Sequence, residues 1–252
     1  MNPTNSAVTL RHRAAAAAAT AVLAAVAVLF SALPAPSAAP APARWVSQAG
    51  TYDYLVTPDY TGLMPLSDVV GKSTIGLGTF DHLDGELVLI GGNVYRVGTD
   101  GIPARADVDS ATPFFQGVAF APQAAVSIPA GTECSALTSV IDELAGTNDG
   151  VVAVRLTGSF DSLTARSVPR QEQPYPPLAD VVADQTVFPM AEVTATLVAF
   201  RTGASARGVG APGLHLHGLT TDRSAGGHVL SCTVARARLY VQVTRGVRVR
   251  TG

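Results

Sequence analysis

Only two of the 252 residues are cysteine, Cys134 and Cys232, and neither has a CxxC partner. That argues against a thiolate pair among any metal ligands. No HExxH and no GxSxG occurs, so neither the zinc-peptidase helix nor the nucleophile elbow of the α/β-hydrolases supports a hydrolase. No basic patch interleaved with aromatics is present, which argues against a nucleic-acid partner. There is no internal repeat. Beyond the N-terminus, no segment approaches membrane-spanning length without charges or Pro/Gly breaks.

The N-terminus does carry an apolar run. Arg11 and Arg13 precede Ala14 to Leu33, and PAPSAAPAPA then ends in Ala41-Pro42-Ala43. A basic start, an apolar middle and small residues at the end make a secretory signal peptide over 1–43, with cleavage expected after Ala43. Paired arginines are absent, so nothing marks a twin-arginine route. The mature chain keeps 15 basic and 19 acidic residues, a mild net charge of −4. Secretion makes a Cys134–Cys232 disulfide plausible, but sequence cannot test whether the two backbones approach.

Strand signals dominate the mature chain. IGLGTF, ELVLI and VYRV between Ile75 and Val97 are separated by Asp84-Gly85 and Gly92-Asn93, both hairpin signals. Further strands are expected within Phe114 to Ile128, at Val151 to Phe160, at Val193 to Arg201 and at Val229 to Val249. Leu66 to Val70 is weakly helical. The strongest helix is Ala136 to Leu144, with Ser135 placed to cap it and Val140, Ile141 and Leu144 on one face. Arg166 to Leu178 reads as an irregular loop with four prolines, a kind of segment that is usually functional or connecting. The balance is α+β: strand-rich, with mixed or antiparallel sheets and few helices. Two domains are expected, an N-terminal α+β sheet domain over 44–160 and a C-terminal β-rich domain over 161–252.

Three of the four mature histidines fall within GLHLHGLTTDRSAGGHVL. His215 and His217 are two apart, so on a strand their rings share a face. Ten residues, including Asp222, Ser224, Gly226 and Gly227, separate His217 from His228 and suit a turn and a returning strand. Three imidazoles with an open fourth position are a common protein share of a catalytic zinc site. The bland alternative is a polar strand face. The fourth histidine, His82, is expected to cap or hydrogen-bond locally.

GLGTFDHLDGELVLI, the TPF of Thr112 to Phe114, RSVPRQEQPYPPL and HLHGLTTDRSAGGHVL occur in this order. Together they resemble the bacterial α-acetolactate decarboxylase family, from about Tyr52 to Val243. The resemblance implies zinc-dependent decarboxylation of 2-acetolactate to acetoin by a homodimer. It implies His215, His217 and His228 as metal ligands, Glu86 and Arg166 as active-site residues, and Thr79 as a pocket residue. The chemistry is consistent. Loss of CO2 from a β-keto acid leaves an electron pair that needs a sink. Zinc chelated by the ketone and hydroxyl oxygens can stabilise the resulting enediolate. A guanidinium can hold the carboxylate, which suits Arg166. A general acid must then protonate carbon, which suits Glu86 if burial raises its pKa. Without the resemblance, Glu86 and Arg166 could be ordinary surface charges and Thr79 a β-propensity choice.

Two departures from the family pattern stand out. The family carries a second active-site glutamate in a C-terminal tail, whereas here no acidic residue follows Asp222. Proton delivery is therefore expected to use water or another residue, or to be weaker. Gly218 stands where the family commonly has an aromatic, and is expected to open space beside the metal. These departures motivate two alternatives: a metal-dependent lyase for another hydroxy-keto acid, or a non-catalytic zinc- or ligand-binding protein.

Overall fold

A computed structural model describes residues 44–252; the expected signal peptide, 1–43, lies outside the described residues. In chain order the strands begin with β1 (Trp45–Ala49), β2 (Met64–Pro65), β3 (Ile75–Thr79), β4 (Glu86–Ile90) and β5 (Asn93–Val97). β6 (Pro103–Arg105), β7 (Ala111–Thr112), β8 (Phe115–Val118) and β9 (Ala124–Ile128) follow. The long strands β10 (Val151–Ser167), β11 (Thr186–Thr202), β12 (Gly213–Thr220), β13 (Gly226–Val243) and finally β14 (Gly246–Arg250) complete the set. The α-helices are short: α1 (Tyr52–Val56), α2 (Leu66–Val70), α3 (Leu137–Ala145) and α4 (Leu178–Ala183). The α+β expectation, strand-rich with few helices, holds. No helix among the described residues is long and apolar enough to cross a membrane.

Two sheets are stacked. The first has the order β14-β1-β8-β3-β4-β5-β6, antiparallel except for the parallel β1–β14 pair. The second has the order β10-β11-β12-β13-β9, and a further β10–β13 ladder closes it on itself.

Side-chain alternation assigns each strand face to a layer. On β4, Leu87 and Leu89 point out toward Leu66, Val69 and Val70 of α2. Val88 points the other way, into a shared core with Ile75, Leu77, Val151, Ala153, Val198, Phe200 and Leu219. On β10, Val152, Val154 and Leu156 face the inside of the closed sheet, where Leu137 and Ile141 of α3 pack. Fully burying each such Leu, Ile or Phe contributes about 1.5–3 kcal/mol. By the same parity, Glu86 shares the inter-sheet face of Val88, and His215 and His217 share that of Leu219.

The expected domain boundary at 160/161 falls inside β10, and the described residues belong to one compact unit. β10 runs seven residues beyond the expected Phe160 because both β11 and β13 pair with it, through irregularities near Phe160 and Thr164. Arg166 therefore sits on a strand, opposite Val187 and His228, and not in the proline-rich loop. The α3 start also differs. Ser135 lies within a 3-10 turn, Cys134–Ala136, and the helix has no side-chain cap. Cys134 is bonded to Cys232 of β13, with Cα atoms 5.0 Å apart, so a covalent tie fixes that turn where a cap was expected.

The disulfide spans 98 residues of sequence. Constraining a loop of that length in the unfolded chain is worth about 4–5 kcal/mol in the chain-entropy account. A Cys134→Ala/Cys232→Ala variant is expected to lose several kcal/mol of unfolding free energy by urea titration. A loss below about 1 kcal/mol would contradict this role.

Candidate metal centre and active-site cavity

The β12–β13 hairpin brings the three histidines together. His217 pairs directly with His228 across the hairpin, and His215 lies two residues back on the same face. Gly227 makes the return possible. Its φ is +132°, and a Cβ there would lie 2.4 Å from the Arg166 carbonyl oxygen. The hairpin and β10 can therefore approach only across a glycine.

Three ring nitrogens converge. His217 Nε2 lies 3.2 Å from His215 Nε2 and 3.3 Å from His228 Nδ1, and the last two are 3.2 Å apart. Metal–nitrogen bonds of 2.0–2.1 Å in tetrahedral array give an edge of about 3.3 Å, so this triangle fits one face of such a site. His217 Nδ1 sits 2.8 Å from the Leu87 carbonyl oxygen. Donation of its N–H there leaves the Nε2 lone pair facing the other two rings. Burial holds all three imidazoles in the neutral, ligating form. It lowers the His215 pKa to about 3, with the Arg166 charge adding to the effect. His217 and His228 are held well below the usual range, again chiefly by burial. The three residues could hold a metal ion.

Glu86 and Arg166 meet beside this cluster. Arg166 Nη1 donates to Glu86 Oε1 at 2.7 Å, and Glu86 Oε2 lies 3.4 Å from His217 Nε2. Both side chains are largely buried. Burial raises the Glu86 pKa, and the Arg166 charge only partly opposes it. Arg166 Nε is buried without a partner among the described residues, so the guanidinium has hydrogen-bonding capacity left over. Thr79 is also present, but its hydroxyl donates to the Gly85 carbonyl at 2.9 Å, which fixes the turn before Glu86.

These groups open on a cavity of about 310 Å³. Thr79, Glu86, Arg166, His215 and His228 line it, together with apolar side chains that include Leu55, Leu83, Phe114, Val168, Leu178 and Val182. All five site residues outside His217 thus face one space, and His217 packs against the rings of His215 and His228. Sequence reasoning missed the apolar wall, because nothing in a sequence separates a wall leucine from a core leucine. The backbone oxygen of Leu87 was equally invisible. Glu86 is the sole carboxylate among the lining residues described.

Two expectations are corrected. Gly218 opens no space beside the histidines. Next to His217 on a strand, it faces the opposite side, and a Cβ there would lie 2.3 Å from Leu197 Cδ2 in the core under α3. His82 does not bond only locally. Its ring reaches Gln171 O and Tyr175 Oη in the proline-rich segment.

A family model for alpha-acetolactate decarboxylase matches residues 46–251. The chain is 39% identical over 197 residues to the alpha-acetolactate decarboxylase of Methanosarcina mazei, covering 78% of this chain and 68% of that one. It is 33% identical over 194 residues to the Brevibacillus brevis enzyme, covering 77% and 68% respectively. The solved alpha-acetolactate decarboxylase from Bacillus subtilis strain 168 superimposes with a TM-score of 0.78 at 29% identity, over 82% of this chain and 88% of that one. The family match begins in β1 and ends just past β14, and so takes in both sheets and every residue of the site: the chain belongs to the alpha-acetolactate decarboxylase family.

Proposed function

We propose that this protein converts 2-acetolactate to acetoin and CO2 in the cavity between the sheets, with zinc held by His215, His217 and His228. The observation that carries the reading is the convergence of three neutral imidazoles with a buried Arg166–Glu86 pair on one cavity. An all-nitrogen donor set suits zinc. When bound, the metal supplies a Lewis acid able to draw electron density from the substrate's ketone oxygen.

The chain's own residues do the rest. Arg166 presents its uncommitted N–H groups to the substrate carboxylate. Sharing the guanidinium with that carboxylate weakens its pull on Glu86, and burial then keeps Glu86 in the acid form. Cleavage of the carbon–carbon bond releases CO2 and sends the electron pair toward the ketone oxygen as an enediolate. Glu86 delivers one proton to the carbon that lost CO2, giving acetoin, and is reprotonated from water. The apolar wall surrounds the methyl groups and excludes water, which strengthens the polar contacts within.

The same reading includes export, supported by the N-terminal pattern and the Cys134–Cys232 bond, and assembly as a homodimer, carried over from the sequence resemblance alone. The direct test is acetoin formation from racemic acetolactate by the purified protein, with metal measured on the same sample. Metal-dependent acetoin release is expected. Stoichiometric zinc without acetoin would sink the reaction and leave a zinc-binding protein.

A further inference from the structure

The proline-rich segment between β10 and α4 frames the cavity. Val168 at its start, and Leu178 and Val182 just past its end, are wall residues. Residues 168–177 form no helix or strand. Backbone and side-chain groups from elsewhere hold them instead. The Gln171 N–H donates to the His82 carbonyl at 2.7 Å. His82 Nδ1 lies 2.8 Å from Tyr175 Oη and 3.1 Å from Gln171 O. Tyr60 is fully buried and donates its hydroxyl to Pro176 O at 2.7 Å, with its ring 5.0 Å from that of Tyr175.

The other side of this clasp is a tight turn. His82 and Leu83 have φ of +61° and +55°, and neither is glycine. Such a conformation persists only where surrounding contacts over-determine it. His82 Nε2 lies 3.3 Å from Asp81 Oδ2, and Asp81 Oδ1 accepts the Gly62 N–H at 2.6 Å. The turn places Leu83 in the cavity wall and leads through Gly85 into Glu86. His82 is therefore the joint between the turn before Glu86 and the segment that leads from Val168 to Leu178 and Val182 of the same apolar wall.

We propose that His82 and Tyr175 are positioning residues that clasp segment 168–177, so that Val168, Leu178 and Val182 form a fixed apolar wall against the substrate's methyl groups. The inference rests on the decarboxylase reading for its substrate, but the clasp itself can be tested without turnover. Arg170 is exposed within the segment and offers trypsin a bond to Gln171.

Tyr175→Phe removes one hydroxyl and keeps the ring packing. His82→Asn keeps a residue type that tolerates the left-handed backbone but is too short to hold Tyr175. In both variants, nicking of the Arg170–Gln171 bond is expected to quicken about fivefold or more under limited trypsin, read after reduction because the Cys134–Cys232 disulfide still joins the two pieces. The KM for acetolactate should rise about tenfold with kcat within about twofold, because wall contacts act in ground and transition states alike. Zinc content should match the unaltered protein. Cleavage and KM equal to those of the unaltered protein in Tyr175→Phe would overturn the clasp, as would a fall in kcat at constant KM. If the unaltered protein makes no acetoin, the decarboxylase reading fails, and the trypsin comparison alone still decides whether the clasp exists.

Discussion

A His217→Ala variant is expected to lose stoichiometric metal and to form acetoin about 10³-fold more slowly. His217 is the most buried of the three rings, 1% exposed, and among the described residues it is the only one whose far nitrogen is anchored, on Leu87 O. Removing it leaves two nitrogens, and a two-imidazole set cannot define one face of a tetrahedral site. Lewis-acid assistance is worth several kcal/mol, and each ~1.4 kcal/mol is a factor of ten in rate. The fold should survive, since the strand pairings of β12 with β11 and β13 are made by the backbone and do not involve the ring. The control is the unaltered protein stripped by a chelator and refilled with zinc. It should recover, whereas the variant should not. Turnover within tenfold of the unaltered protein, at equal folding, would remove His217 from the site.

Glu86→Gln should separate proton delivery from metal binding. The amide has the shape of the carboxyl and can still accept a hydrogen bond from Arg166 Nη1, but it has no proton to give to carbon. A fall in kcat of about 10²–10⁴-fold is expected, with zinc retained. The acetoin formed should lose enantiomeric excess, since water would then protonate either face. The pH profile gives a second readout. Burial raises the Glu86 pKa, so the acid form persists above the normal carboxylate range and activity declines as pH rises through the raised value. The variant should lack that limb. Unchanged kcat with unchanged enantiomeric excess would assign the proton to another donor.

The histidine cluster was the most legible part of the molecule. His215 and His217 are two apart on a strand, and the turn residues after them are those a hairpin requires. Both are local facts, so the convergence with His228 could be read before any fold was known. The strands from Ile75 to Val97 and the short helix at Leu66 to Val70 were legible for the same reason: alternation and turn chemistry act over a few residues. Ser135 failed as a cap because a disulfide to Cys232, 98 residues away, set the turn instead. β10 outran its expected end because two partner strands extended it past the point where its own alternation fades.

Sequence by itself determined the periodicities, the turn positions and the residue types able to ligate metal or transfer a proton. Tertiary structure alone decided which of them meet. Glu86 and Arg166 are eighty residues apart and come into contact because two sheets stack with those faces inward. Gly218 carries no Cβ, yet its strand parity turns it toward Leu197 and away from the histidines. The cavity wall, and the His82–Tyr175 contact behind it, bear no local signature, because an apolar side chain acquires its role from what packing leaves empty beside it. Local rules act through bonds and short spacings. Burial, pKa and enclosure come from neighbours that only chain closure over long separations supplies.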